Sequence, residues 1–132
     1  MPSMIQNIGL AILRISAGLM LAFGHGVGKL PPSDHFVDIV ASLGFPIPLV
    51  FAWAATASEF LGGLLLAAGL FTRPAALSIL ITMTVAAFLR QANDPFPAKE
   101  KAILYGLVAL AFLLFGAGKF GVDALLKKKR TS

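Results

Sequence analysis

The stretch Pro48–Leu70, PLVFAWAATASEFLGGLLLAAGL, carries a single ionisable residue, Glu59, in a run long enough to cross a bilayer as one helix. A hydrocarbon core about 30 Å thick takes about 20 helical residues at a rise of 1.5 Å each. Three more apolar stretches accompany it: Ile8–Val27 before, Ala75–Leu89 and Ala102–Ala117 after. The first reaches full length. The last two are slightly short, and they span if Arg90 and Lys101 extend their charges to the interface. Helices of a soluble domain show a polar outer face, whereas these are apolar nearly all round. A hydrophobic content of 58% and a mean hydropathy of +0.86 agree. The expected fold is an all-α integral membrane four-helix bundle, one domain over residues 1–132.

Composition narrows the chemistry. The chain has no Cys, which excludes disulfides, thiolate metal sites and thiol redox catalysis by this chain alone. The net charge of +5 resides mainly in Lys127, Lys128, Lys129 and Arg130. A basic run just beyond a membrane helix is a topology signal and a contact for anionic lipid rather than for nucleic acid. No Lys or Arg precedes Arg14 and no small-x-small site leads into soluble sequence, so the N-terminus does not read as a cleaved signal peptide. With four spans, both termini share a side with the turn at Phe71–Pro74, together with Arg73, Lys119 and the basic tail. Lys29, Lys99, Lys101 and Arg90 fall on the other side. The larger basic cluster places both termini in the cytoplasm.

Between the first two spans, Pro31-Pro32-Ser33 ends one helix and offers Ser33 as the N-cap of another. Phe36, Ile39, Val40 and Leu43 then recur at helical spacing, with Asp34 and Asp38 turned away, until Gly44 and Pro46 stop the segment. This is a short amphipathic helix that lies in the outer interface or caps the bundle. Asn93–Pro97 forms a second outer loop, and Asp123–Arg130 a brief amphipathic turn on the cytoplasmic face.

Charges inside spans carry the functional information, because exposing one to lipid at the bilayer centre costs about 2.5–3.5 kcal/mol or more. Glu59 must face the interior, find a cation or donor, or be protonated; a structural ion pair and a ligand- or proton-handling role both fit. Arg14 and His25 are eleven residues apart, about 20° apart around the helix at 100° per residue, so they share a face with Gly18. Arg14 can snorkel or cap carbonyls. His25 lies between Gly24 and Gly26, whose lack of side chains allows close approach of a helix or a ligand. Ser78, Thr82, Ala86 and Arg90 form a small and polar stripe on the third span, and Glu100 and Tyr105 lie near the outer end of the fourth. Depths counted along the helices put His25, Glu59, Arg90 and Tyr105 at one outer-middle level. They are the candidate ligand-binding residues, with a satisfied structural network as the alternative. Phosphate loops, metal-ligand spacings and Ser/His/Asp sets are absent, and two separated histidines make a haem or zinc site improbable. Gly62-Gly63 and the glycines from Gly106 to Gly118 fit close helix packing.

The chain resembles the DoxX family of small four-span bacterial membrane proteins. The matching pieces are Arg14…Gly18…His25-Gly26-x-x-Lys29-Leu30, Ser42-Leu43-Gly44-Phe45-Pro46, and the continuous run from Glu59 to Ala76. Glu100, Tyr105 and Gly116-x-Gly118-x-x-x-x-Asp123 complete them. Two departures are Ala117, where the family usually has proline, and Arg90-Gln91-Ala92, where many relatives carry a histidine. The resemblance implies a four-helix membrane bundle and a redox-linked role, through likeness to the membrane subunit of a thiosulfate:quinone oxidoreductase. It marks Arg14, Lys29, Glu100 and Asp123 as motif positions and identifies no catalytic residue.

Three functions follow as expectations. The first is a quinone-associated component of an oxidoreductase, with a quinone headgroup at the His25, Glu59, Arg90, Tyr105 level. The second is a non-enzymatic scaffold recruiting a soluble redox protein through loops or tail. The third is a small-molecule carrier, disfavoured by an inner half offering mainly Arg14 among Leu, Ile and Phe. A second copy of the chain is a further candidate partner.

Overall fold

The helices begin and end at local signals in the computed structural model, which describes residues 3–131. Ser3 and Gln6 form a reciprocal capping box: Ser3 Oγ accepts from the Gln6 N–H at 3.2 Å, and Gln6 Oε1 from the Ser3 N–H at 2.8 Å. The first helix, α1, therefore runs Met4–Gly26, starting ahead of the apolar stretch. A single 3₁₀ turn, Val27–Lys29, follows. The short helix α2, Asp34–Ser42, starts where Ser33 Oγ accepts the Phe36 N–H at 3.1 Å, as its sequence predicts. Helix α3, Pro48–Ala68, has proline in its first turn, where no N–H is needed. It ends at Gly69, whose φ of +69° lets the Leu70 N–H reach the Leu65 carbonyl at 3.0 Å. Helix α4 covers Thr72–Arg90, α5 Phe96–Phe115 and α6 Val122–Thr131. There is no strand among the described residues.

Three helices, α1, α3 and α4, are long and apolar enough to cross a membrane. The third apolar stretch gains length because α4 begins at Thr72 and runs through Arg90, so it is not short. Helix α5 has 20 residues but opens at Phe96, earlier than Ala102, and takes Lys99, Glu100 and Lys101 into its early turns. The C-terminal segment is a helix of ten residues, longer than a brief turn.

Small residues set the closest contact. A Cβ at Gly18 of α1 would stand 2.5 Å from the Gly63 carbonyl oxygen of α3, and one at Gly63 2.7 Å from that of Gly18, so the two backbones touch. In lipid, where apolar surface gains little from helix association, such van der Waals contact is a main source of packing energy. Leu21, Leu66, Ile79, Met83 and Phe112 fill the space between α1, α3, α4 and α5. Helix α4 lies against α5, and α2 packs on the first half of α3.

The end of the molecule near α6, here the tail end, is tied through backbone groups. Arg14 is 1% exposed. Its guanidinium donates to the carbonyls of Leu66 at 3.0 Å, Ala67 at 3.4 Å and Ala117 at 2.6 Å. It thus caps the end of α3 and joins it to the loop after α5, the carbonyl-capping role among those its sequence allowed. Asp123 accepts the N–H groups of Phe71 at 2.8 Å and Thr72 at 2.9 Å, capping α4 from another element. Its own N–H donates to Gly69 at 2.8 Å. Partial burial pushes the Asp123 carboxyl up. The Thr72 and Phe71 donors and the Arg14 charge outweigh this and hold it below the usual carboxylate range. Thr72 Oγ1 lies close enough to contribute to that field, yet it is buried without a hydrogen-bond partner of good geometry.

Candidate functional site

Away from the tail end, each of the three long apolar helices widens for one turn into π geometry: Ala22–Gly26 in α1, Ser58–Gly62 in α3 and Ala86–Arg90 in α4. The local sequences permit it, with Gly24 and Gly26, Gly62, or Ala86 and Ala87 leaving room around the wider turn. Each π turn contains one of the ionisable residues singled out above, His25, Glu59 and Arg90 respectively. Isolated π turns are rare in α-helices and concentrate at functional sites.

All three residues line one cavity of about 560 Å³, and Tyr105 of α5 lines it with them. The depth count along the sequence thus places four residues that share one space. Glu59 is 5% exposed, His25 and Tyr105 are half-buried, and Arg90 is exposed at the rim. The His25 and Tyr105 rings meet edge to face with centroids 5.6 Å apart. Helix α2 roofs the space with Phe36, Ile39 and Val40, joined by its C-cap residue Leu43, the apolar face its periodicity marks out. The Arg90 guanidinium carbon lies 5.8 Å from the centroid of the Phe36 ring, within cation–π range.

The hydroxyl groups of the cavity are anchored. Ser58 Oγ and Ser78 Oγ lie 3.1 Å apart, and Ser78 Oγ donates to the Ala75 carbonyl at 2.8 Å. Thr82 Oγ1 donates to the Ser78 carbonyl at 2.8 Å. The polar stripe Ser78, Thr82, Ala86, Arg90 therefore forms one continuous wall. Lys101, read from sequence as an interfacial anchor, also lines the cavity. The available signal was its position four residues before Tyr105, on the same helix face.

The motif positions separate from this site. Arg14 and Asp123 belong to the tail-end clamp, Glu100 is exposed outside the cavity, and the Lys29 side chain lies outside the described residues. Gly26 permits close approach as anticipated, since a Cβ there would meet Phe60 backbone at 2.6 Å, whereas Gly24 faces open space. No group of three His, Asp or Glu side chains that could hold a metal occurs among the described residues.

Chemically the cavity combines mostly apolar walls with cationic donors (Arg90, Lys101), a phenol (Tyr105) and two proton-handling groups (Glu59, His25). Its volume falls in the range of about 300–1,000 Å³ typical of small-molecule sites.

Comparison with known proteins gives the setting. The family model described as DoxX matches residues 9–92. Two uncharacterised proteins of Haemophilus influenzae are similar: one is 35% identical over 91% of this chain and 92% of its own length, the other 30% identical over 93% and 89%. A Bacillus subtilis protein named "Putative oxidoreductase CatD" is 27% identical over 92% of this chain and 90% of its own. No solved structure matches.

Proposed function

The chain belongs to the DoxX family of membrane proteins, and on that premise we propose that it is a quinone-associated component of a membrane redox system, holding the quinone headgroup in the cavity beneath α2. The observation that carries this reading is the convergence of three π turns, each bearing an ionisable side chain, on a single apolar cavity of ligand size. Three unusual turns at one level fit a ligand site better than a helix-register device, for which ordinary α geometry suffices. The name of the B. subtilis relative supports a redox setting.

In this reading Arg90 and Tyr105 donate hydrogen bonds to the quinone carbonyls. Glu59 and His25 give or accept the protons that accompany its reduction or oxidation, roles suited to a carboxylate and an imidazole in a low-dielectric site. Electrons pass to or from a partner protein, because the chain has no Cys with which to carry them. Helix α5 serves as a fourth span, its early charges at the α2-side interface, in a four-helix bundle of the plasma membrane with both termini cytoplasmic.

Thermal unfolding of the purified protein tests the site. A ligand that binds only the folded state, present at 100 times its Kd, adds about 2.7 kcal/mol of apparent stability. A short-chain benzoquinone should raise the unfolding temperature of the wild type, and the rise should shrink in folded His25→Ala and Arg90→Ala variants. A panel of quinones giving neither a shift nor saturable binding overturns the reading and favours a scaffold that recruits a redox partner through its basic tail.

A further inference from the structure

Helices α3 and α4 stay together at the tail end and part towards α2. Their turn at Gly69–Phe71 and the Ser58–Ser78 contact at 3.1 Å hold them close. Beyond that contact, the segment Pro48–Ala57 packs chiefly on α2, while the main neighbour of α4 is α5. The space between the parted halves is a lobe of the same cavity. Its walls are Phe51, Ala54 and Ala55 from α3, with Ile81 and Val85 from α4.

Three of these wall residues, Phe51, Ala54 and Ile81, are exposed. Wall residues that also face outwards, on two helices both apolar enough to span a membrane, mark a side opening towards lipid. The ring and guanidinium donors sit elsewhere in the cavity: His25 and Tyr105 come from α1 and α5, and Arg90 from the end of α4, while Ser58 and Ser78 mark the base of the gap. Below the cavity, the Gly18–Gly63 contact and the Arg14 clamp close the way to the tail end.

We infer that the gap between the outer halves of α3 and α4 is a lateral slot for a hydrocarbon tail, so the ligand is a membrane-dissolved amphiphile that enters sideways from the bilayer. Its tail lies between Ala54 and Ile81 and its head reaches His25 and Tyr105. This rests on the proposed headgroup site, but the slot itself is testable without any quinone.

The wild type in a lipid nanodisc, with phospholipid carrying a diazirine on one acyl chain, supplies the first readout. Photolysis and peptide mass spectrometry should find adducts on the cavity-facing Ala55 or Thr82, and Ala54→Trp or Ile81→Trp should abolish them. Adducts confined to outward residues such as Leu61 and Leu77 overturn the slot.

The second readout compares a decyl-substituted benzoquinone with its tailless parent, each corrected for partition into lipid. The tailed compound should bind at least tenfold tighter, and filling the slot with Ala54→Trp should remove most of that advantage. Equal affinities overturn the placement of the tail. If acyl chains label the slot while neither quinone binds, the lateral slot stands and the quinone headgroup assignment falls.

Discussion

At the tail end, α1 and α3 touch backbone to backbone at Gly18 and Gly63, and Arg14 and Asp123 are bonded to main-chain groups of three other segments. At the α2 end the same helices carry π turns and surround about 560 Å³ of open space. Both regions contain charged side chains, and the difference lies in what those charges meet. Arg14 meets three backbone carbonyls, two at the end of α3 and one in the loop after α5. Arg90, Lys101 and Tyr105 border a cavity of about 560 Å³. Near Arg14 the charges hold backbone groups together, and near α2 Arg90 and Lys101 stand on the lining of a cavity.

The sharpest way to break this comparison is at Arg14. Arg14→Ala leaves the carbonyls of Ala67 and Ala117 without this donor at a buried site, where each orphaned group costs about 1–3 kcal/mol, while the Leu66 carbonyl keeps the Gly69 N–H at 3.0 Å. We expect a loss of about 3–5 kcal/mol, read as a large drop in unfolding temperature in mild detergent. A loss below about 1 kcal/mol would show that water or another donor reaches these carbonyls.

Glu59 tests the other half, because among the described residues it is the buried charge there. Removing one member of a buried pair commonly costs about 3–5 kcal/mol. Glu59→Ala should approach the lower end of that range, and Glu59→Gln, which keeps hydrogen bonding, should cost clearly less. Equal and negligible losses would make Glu59 structurally idle.

Gly18→Val comes next. Its Cβ would overlap the Gly63 carbonyl, so α1 and α3 must separate, at a cost of about 1–3 kcal/mol. The same substitution at Gly24, which faces open space, should change stability by less than about 0.5 kcal/mol.

A modest effect belongs to Asp123. Its pKa is lowered in the folded state, so its contribution is present above the unfolded value near 4 and is lost as pH falls through the folded one. Asp123→Asn should cost about 1 kcal/mol at pH 7, as the loss of a helix cap does. The wild-type advantage should vanish on acidification below pH 4. An advantage that persisted at low pH would mean that the carboxylate charge is not what caps α4.

Much of this contrast is legible in the chain. Uninterrupted apolar runs locate α1, α3 and α4, and the spacing of Phe36, Ile39, Val40 and Leu43 marks the roof of the cavity. Counting residues along the helices brings His25, Glu59, Arg90 and Tyr105 to one level, because rise per residue is nearly constant. The tail-end clamp is not legible in the same way. Arg14 and Ala117 are 103 positions apart, and the bond between them depends on how α1, α3 and α5 pack. Asp123 caps a helix that begins 51 residues earlier, whereas sequence rules for caps look only to adjacent residues. The π turns are hidden because a widened turn keeps the hydrophobicity of its helix and changes only its phase.

That phase change has a consequence for the spans as rotating objects. A π turn accommodates an additional residue, so α3, whose widened turn Ser58–Gly62 lies mid-helix, is offset by about 100° of rotation between its two ends. The face that packs near Arg14 is therefore not collinear with the face that lines the cavity. Deleting one residue from that π turn would restore an even spiral and swing the end beyond it by that angle. It would carry the Phe51 and Ala54 side of the cavity wall away while the glycine contacts below stayed in place, so the widened turn of α3 acts as an alignment shim that sets the aim of each end independently.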